Sequence, residues 1–181
     1  ATPAVATVDV NSGAVTGVGI GTSRITYTVA AGCFKTTVVT VTTLPADITG
    51  TALLCQAATT ALSNGSGTWS SSNTGIASVN STGVVTGVSA GNANITFRDS
   101  GTGCYVTREV TVNPLPVIVS ASVCPAQTAT LTATPSGGTW SISNPSVATV
   151  NATTGELTGV IVCNSGVSMA VVTNTLPTGC S

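Results

Sequence analysis

The chain has 181 residues, a formal net charge of −1 and 5% charged residues, where ordinary soluble domains have roughly 25%. Its four basic residues are scattered and cannot form the positive stripe that binds nucleic acid or an anionic membrane surface, so neither partner is expected. No apolar run approaches the roughly 20 residues of a membrane-spanning helix, and the N-terminus lacks a signal-peptide pattern, which predicts a mature or internal segment that does not insert into a membrane.

Small and β-branched residues dominate the composition. Thr is frequent, and Val, Ala, Ser and 20 glycines supply much of the rest. β-branched residues favour pleated strands, whereas Gly and Ser favour tight turns. The composition therefore predicts short strands joined by turns, with few helices.

The first element in chain order is a strand-turn-strand pattern that occurs three times. The copies are residues 2–18, 75–88 and 144–160. All three contain Thr-Gly-Val near their end, and the glycines Gly17, Gly87 and Gly159 are 70 and 72 residues apart. A fixed period of this kind indicates a tandem repeat of about 70 residues.

Further strands and turns follow each copy. Apolar and polar residues alternate in residues 23–29, 92–98 and 107–112, which predicts strands with one buried face. Pro-containing sequences at 40–45 and 111–116 mark repeat ends, because Pro stops strand pairing. About seven short strands per unit, with turns every 8 to 12 residues, are typical of a β-sandwich.

These landmarks predict the domain boundaries. We expect residues 1–45 to be the C-terminal part of one repeat, residues 46–116 a complete repeat, and residues 117–181 a repeat that lacks its last strand. A chain that begins and ends inside repeats is expected to be part of a longer array.

The ordered landmarks of the middle copy resemble a known family. They are residues 69–73, 76–79, 83–88, 90–91 and 95–96, with the sequences WSSSN, IASV, GVVTGV, AG and IT. The pattern resembles the bacterial immunoglobulin-like (Ig-like) domain of group 2, which occurs in intimin- and invasin-type adhesins and in very large secreted repeat proteins. The resemblance covers nearly the whole chain as one full and two partial copies. It implies all-β Ig-like sandwiches on the cell surface or outside the cell, although residues 162–166 depart from the pattern of residues 90–92.

Two tryptophans, Trp69 and Trp140, occupy equivalent places 71 residues apart in the sequence Gly-Thr-Trp-Ser. An Ig-like sandwich packs a tryptophan in its core beside a disulfide, and we interpret both residues as core residues. The alternative interpretation is that exposed indole rings stack against sugars.

Six cysteines occur without a histidine or a Cys-x-x-Cys pair, which argues against a zinc site. They recur at repeat-matched positions, so we expect disulfides formed in an oxidising compartment. The spacing of the repeats favours bonds between Cys55 and Cys104 and between Cys124 and Cys180. Each would stabilise a sandwich whose core is small.

Two cysteines remain outside these pairs. The hairpin position Gly32-Cys33 matches Gly103-Cys104 and Gly179-Cys180, so Cys33 would need a partner before residue 1. Cys163 is either a buried free thiol or an interchain partner, for example of Cys33 in a neighbouring copy. The second alternative would create a covalent fibre.

No catalytic, metal or cofactor site is predicted. The carboxylates Asp9, Asp47 and Asp99 are too far apart in sequence for a calcium loop, and without histidine no Ser-His-Asp or Cys-His arrangement exists. Asp99 and Glu109 are interpreted as polar caps beside neighbouring arginines rather than as the facing pair of a glycosidase.

The sequence therefore predicts a structural protein rather than an enzyme. We expect a repeat segment of a secreted bacterial filament or cell-surface array, whose partners are copies of itself or neighbouring repeats, since a net charge near zero gives little repulsion. The alternative is the stalk of an adhesin, in which a separate domain binds a glycan or a host receptor. An accessory module of an enzyme is a third class.

Overall fold

The computed structural model describes residues 1–160 and 169–181. These residues form strands, turns and loops without a helix, so the predicted all-β fold is confirmed. It follows that none of these residues belongs to an apolar helix of membrane-spanning length.

The strands are short, and many contain three to five residues. The first segment has β1 (Ala6–Val8), β2 (Val15–Gly17), β3 (Gly21–Thr28) and β4 (Phe34–Val41). The middle segment has β5 (Leu53–Cys55), β6 (Thr59–Ala61), β7 (Gly67–Ser71), β8 (Ala77–Val79), β9 (Val84–Gly87), β10 (Gly91–Asp99) and β11 (Tyr105–Asn113). The last segment has β12 (Val117–Ile118), β13 (Thr128–Thr130), β14 (Ala133–Thr134), β15 (Thr139–Ile142), β16 (Ala148–Val150), β17 (Glu156–Gly159) and β18 (Val172–Thr175).

Two compact units share the chain. The first unit contains Ala1–Ile48, Asn64–Thr68 and Thr96–Thr107, and the second contains Thr49–Ser63, Trp69–Ile95 and Arg108–Ser181. The predicted repeat boundaries of 1–45, 46–116 and 117–181 stay a prediction.

The strand-turn-strand pattern has the same register in all three copies. Each is an antiparallel pair of strands in which an alanine faces the glycine of Thr-Gly-Val. The pairs are Ala6 with Gly17, Ala77 with Gly87 and Ala148 with Gly159. A third strand joins the second and third copies, which gives the sheets β6-β9-β8 and β13-β17-β16. The sequence repeat is therefore a structural repeat.

One side chain closes the turn in each copy. The Asp9 carboxylate accepts hydrogen bonds from the amides of Asn11 and Ser12 and from the Ser12 hydroxyl at 2.8–3.0 Å. The amide oxygens of Asn80 and Asn151 accept equivalent bonds in the other two copies. These are Asx turns, in which an Asp or Asn side chain satisfies backbone donors two to four residues later.

The turn at Asp9 should respond to acid. The Ser12 amide and hydroxyl and the Asn11 amide hold the pKa of Asp9 below its ordinary value of 3.8, because these donors stabilise the carboxylate. A lowered pKa stabilises the turn fully above about pH 4, and this contribution is lost as the pH falls through the lower folded-state value. We expect the Asn11 and Ser12 amide resonances to shift only below pH 4 in an NMR titration.

Asp9→Asn is the matched control for this titration, since asparagine occupies the same place in the other two copies. It should keep the turn and abolish the amide shifts. A midpoint at or above 3.8 in the unaltered chain would contradict the assignment.

The core of the middle segment lies in the second unit between facing strands. Leu54, Val85, Ile95, Val110 and Val112 are buried. A Cβ atom added to Gly87 of β9 would lie 2.9 Å from Val112 of β11 and 3.4 Å from Leu54 of β5. The sheet that contains β9 therefore packs closely on the sheet that contains β11, as in a β-sandwich.

The first unit repeats part of this packing. A Cβ atom on Gly17 of β2 would lie 3.1 Å from Val41 of β4, so β2 packs on β4. The hairpin β3–β4 pairs Gly21 with Val41 at one end and Thr28 with Phe34 at the other. Its aromatic residues Tyr27 and Phe34 are 72% and 67% exposed.

A small core also forms in the last segment. It consists of Leu131, Trp140, Ala148 and Leu157. On the neighbouring strand, Asn174 pairs in register with Trp140 and is 1% exposed, and its Oδ1 atom has no hydrogen-bond partner. Asn174 packs on Gly138, as the buried Phe97 packs on Gly67. A polar side chain therefore occupies a core position that is aromatic in the middle segment.

Replacing Asn174 should stabilise the protein. Asn174→Leu removes a buried carbonyl oxygen without a partner, and such a group costs roughly 1–3 kcal/mol. We expect the free energy of unfolding to rise by about 1–2 kcal/mol in urea denaturation. The control is Asn94→Leu on the exposed face of β10, which should change stability by less than about 0.5 kcal/mol. A loss of stability in Asn174→Leu would mean that the amide is needed at this position.

Candidate functional site

Two cysteines, Cys55 and Cys124, begin identical turns, and we call them the turn cysteines. Their carbonyl oxygens accept hydrogen bonds from the amides of Ala58 and Gln127, both at 3.0 Å. The residues between have positive φ angles, 66° at Ala57 and 58° at Ala126, which is uncommon for alanine. The turns are therefore copies of one another in detail.

Glycine is required opposite each turn cysteine. A Cβ atom on Gly87 would lie 2.8 Å from the Cys55 carbonyl oxygen, and one on Gly159 would lie 2.5 Å from that of Cys124. No side chain fits at these distances. This explains why the Thr-Gly-Val sequence has glycine opposite both Cys55 and Cys124.

Three cysteines follow glycine in a hairpin turn, and we call them the hairpin cysteines. The carbonyl oxygens of Cys33, Cys104 and Cys180 accept hydrogen bonds at 2.9 Å from the amides of Val29, Asp99 and Leu176. The preceding glycines have φ angles of 80°, 73° and 85°, a region that favours glycine. The three hairpins therefore present their cysteines in the same way.

One disulfide joins the two classes. Cys55 is bonded to Cys180, with Cα atoms 5.6 Å apart and a sequence separation of 125 residues. Cys104 and Cys124 are free. The predicted bonds between Cys55 and Cys104 and between Cys124 and Cys180 are therefore wrong in this structure. The observed bond connects the middle segment to the last segment.

The direction of β5 explains why Cys55 does not bond to Cys104. β5 runs parallel to β11, and its register places Cys55 beside Asn113 at the end of β11. Cys104 precedes Tyr105 at the beginning of the same nine-residue strand. A strand of this length spans roughly 26 Å, whereas the Cα atoms of a disulfide are within about 7 Å. Cys55 and Cys104 lie at opposite ends of β11 and are therefore too far apart to bond.

The repeat spacing alone could not distinguish the two arrangements. Both cysteine classes recur with the repeat, so a bond within a repeat and a bond to the next repeat satisfy the same spacing. The missing information was that β5 pairs in parallel with β11 rather than near the hairpin.

The remaining cysteines have different surroundings. Cys33 and Cys124 are exposed, whereas Cys104 is half-buried. The Cys104 sulfur lies 3.2 Å from the Thr42 hydroxyl, a hydrogen-bond contact. Cys163 lies outside the described residues, so its predicted role as a free or interchain thiol stays a prediction.

The two tryptophans pack in equivalent places. Trp140 is buried and Trp69 is half-buried. A Cβ atom on Gly83 would lie 3.0 Å from the Trp69 ring, and one on Gly155 would lie 2.9 Å from the Trp140 ring. Each indole thus packs over the glycine of its Asx turn, and the interpretation of both tryptophans as core residues stays a prediction.

The carboxylates of Asp99 and Glu109 accept hydrogen bonds from nearby turns and strands. Asp99 accepts hydrogen bonds from the amides of Gly101 and Thr102 and from the Thr102 hydroxyl. The Thr102 bonds contribute most to a pKa of Asp99 below the ordinary aspartate value. Glu109 accepts a bond from the Asn92 amide at 3.2 Å. The Asp99 carboxylate therefore stabilises a turn, and the Glu109 carboxylate connects two strands. The part of the chain that the structure describes contains no cluster of three or more potential metal ligands.

Arg98 completes the hairpin that carries Cys104. Its guanidinium donates a hydrogen bond of 2.6 Å to the Gly103 carbonyl oxygen, and it lies 5.3 Å from the centre of the Tyr105 ring. The arginine thus fixes the hairpin beside the cysteine.

Sequence comparison identifies the family of the middle region. Residues 40–103 match the model of the family described as bacterial Ig-like domain (group 2). This segment is a group 2 bacterial Ig-like domain. The resemblance predicted from its landmarks is confirmed for these residues, and the match ends just before β11. A search of curated protein sequences gives no match.

Solved structures share the fold. The C-terminal 282-residue fragment of intimin, solved in complex with the intimin-binding domain of the translocated intimin receptor, is 15% identical with a TM-score of 0.50, and the alignment covers 76% of this chain. Domains 1–6 of the surface layer protein SbsC are 17% identical with a TM-score of 0.38, over 92% of this chain. The chain spans 61% of the intimin fragment and 36% of the SbsC chain. The intimin likeness supports the Ig-like fold.

Removing the disulfide should destabilise the chain. In the chain-entropy model a bond that closes a loop of 100 residues or more stabilises by up to about 4–5 kcal/mol. We therefore expect Cys55→Ser to lower the free energy of unfolding by about 2–4 kcal/mol in guanidinium chloride, with tryptophan fluorescence as the probe.

Cys33→Ser is the control for this measurement, because Cys33 is exposed and free. It should change the free energy of unfolding by less than about 0.5 kcal/mol. Equal stability of Cys55→Ser and the unaltered chain under non-reducing conditions would contradict a stabilising bond.

Proposed function

We propose that this chain is a structural repeat segment of an extracellular bacterial fibre or surface array. The observation that supports this most directly is the bond between Cys55 and Cys180. It connects the region of one repeat to the region of the next, so consecutive repeats are held by a covalent crosslink as well as by the backbone. A crosslink of this kind serves a protein that maintains an extended connection rather than one that encloses a substrate.

The disulfide also supports an extracellular location. Disulfides form and persist in oxidising environments and are rare in the bacterial cytosol. A secreted or cell-surface protein meets this condition. The group 2 bacterial Ig-like domain of residues 40–103 is consistent with it.

Exposed apolar residues support association between copies. In the first unit Phe34 and Val38 lie on the same face of β4 and are 67% and 61% exposed. The formal net charge is −1, so electrostatic repulsion between copies is small. Neighbouring apolar residues of this kind mark surfaces that other polypeptide covers.

The other candidate is the stalk of an adhesin, with a separate domain that binds a receptor or glycan. The fold likeness to the intimin fragment, which was solved with a receptor domain, supports this second candidate. In a stalk the repeats would hold the binding domain at a distance and would not assemble with each other. Neither candidate assigns catalysis to this segment.

Assembly of the purified, oxidised chain tests the proposal. We expect the weight-average mass in sedimentation velocity to increase with protein concentration, and filaments in negatively stained electron micrographs. The double substitution Phe34→Thr and Val38→Thr should reduce this association, because it removes exposed apolar surface from one face of β4. Val119→Thr, at a residue that is 68% exposed elsewhere, is the matched control. A monodisperse monomer at high concentration would overturn the fibre and favour the stalk.

A further inference from the structure

The bond between Cys55 and Cys180 follows a simple rule. A turn cysteine of one repeat is bonded to the hairpin cysteine of the next repeat. Both classes of cysteine recur along the chain with the same local hydrogen bonds. If the rule is general, each further turn cysteine and hairpin cysteine has a partner in an adjacent repeat.

Cys124 is the next turn cysteine. It begins a turn with the same bonds and the same positive φ angle as the turn of Cys55, yet it is exposed and free. By the rule its partner is the hairpin cysteine of a repeat that follows the last segment. The exposed thiol of Cys124 is accessible to that partner.

Cys104 is the hairpin cysteine of the middle repeat, and by the rule its partner is the turn cysteine of the preceding repeat. Its sulfur contacts the Thr42 hydroxyl at 3.2 Å. Thr42 occupies the same place in the sequence Thr-Val-Thr that Asn113 occupies in Thr-Val-Asn, and Asn113 is the register partner of Cys55. Cys104 thus lies at the end of β4, where the turn cysteine of the preceding repeat would pair if that repeat is built like the middle one.

We propose that the array is crosslinked by a continuous series of inter-repeat disulfides, in which every turn cysteine is bonded to the hairpin cysteine of the following repeat. Cys55–Cys180 is one member of this series, and Cys104 and Cys124 are the halves of its two neighbours. Each bond forms when two thiols lose two protons and two electrons, and the electrons reduce an external disulfide to two thiols. The inference rests on the proposed tandem array.

Geometry excludes the competing bond between Cys55 and Cys104. Cys55 lies at the end of β11 and Cys104 before its beginning, and roughly 26 Å of strand separates these positions. The last segment repeats the turn of Cys124 and the hairpin of Cys180, so the same separation is expected there. An inter-repeat bond is therefore the arrangement that these elements allow.

An extended chain tests the proposal directly. Residues 106–181 are appended after Ser181, because Ser181 follows Cys180 as Tyr105 follows Cys104. In the appended copy Cys124→Ser removes the second turn cysteine, and Thr178→Ser marks the peptide of the second hairpin cysteine by its mass. After oxidation with glutathione disulfide, peptide mapping should recover Cys124 bonded to the marked peptide and Cys55 bonded to the unmarked one.

The labelling rate of Cys124 with a maleimide gives a second readout. It should fall by at least about tenfold in the extended chain relative to the unaltered chain, because a disulfide has no thiolate to react. Free Cys124 in an extended chain that keeps the Cys55–Cys180 bond would overturn the proposal. A bond between Cys124 and the unmarked peptide would overturn it as well.

The position of Cys104 is tested without an extension. Thr42→Cys should form a disulfide with Cys104 on oxidation, since the present side-chain atoms are 3.2 Å apart. Thr43→Cys is the matched control, because the hydroxyl that contacts the Cys104 sulfur belongs to Thr42, and it should leave Cys104 free. If Thr42→Cys forms no disulfide with Cys104, the proposed place of Cys104 in the series is wrong.

These outcomes are separable from those of the proposed function. Filament formation depends on contacts between chains, whereas the disulfide series is mapped within one chain. Inter-repeat bonds in a strictly monomeric extended chain would support the series and favour the stalk. Assembly without these bonds would support the fibre and overturn the series.

Discussion

The parallel pairing of β5 with β11 is the constraint on which the covalent structure depends. It carries Cys55 to the end of the last strand of the middle segment, beside Asn113. The hairpin cysteine of the same segment precedes that strand at its other end. The turn cysteine is therefore available to the repeat that follows, and Cys180 bonds to it. Had β5 paired near the hairpin, the same cysteines would have closed a single repeat.

Much of the fold could be predicted from the sequence because the turns have strict requirements. Glycine at Gly87 and Gly159 is the one residue that fits against the carbonyl oxygen of a turn cysteine. Asp9, Asn80 and Asn151 supply the side-chain acceptor that closes each strand-turn-strand pattern. These requirements recur with every repeat, so they give a periodic signal that fixes the strand boundaries.

The cysteine pairing could not be predicted in the same way. Periodicity shows which residues are equivalent, but equivalent residues of successive repeats have the same spacing whichever direction a short strand takes. β5 has three residues, and its parallel direction follows from tertiary packing rather than from any local pattern. The same limit applies to Cys104, whose contact with Thr42 joins residues 62 positions apart.

One core position shows how the repeats differ within a common framework. Phe97 and the corresponding Asn174 are each 1% exposed. Phe97 is covered on its face by a glycine of β7. Asn174 packs in the same way against Gly138, but its side chain is polar. Its Oδ1 atom has no hydrogen-bond partner.

The 125-residue separation between Cys55 and Cys180 has a mechanical consequence. When the chain is pulled from its ends, tension enters at Cys55 and crosses directly to Cys180 through the sulfur atoms, so the residues between them are not stretched. At up to about 3.4 Å per residue, roughly 400 Å of contour length is withheld from extension. Reduction of this single bond would release that length, so the redox state of two sulfur atoms determines how far the polypeptide can lengthen under force.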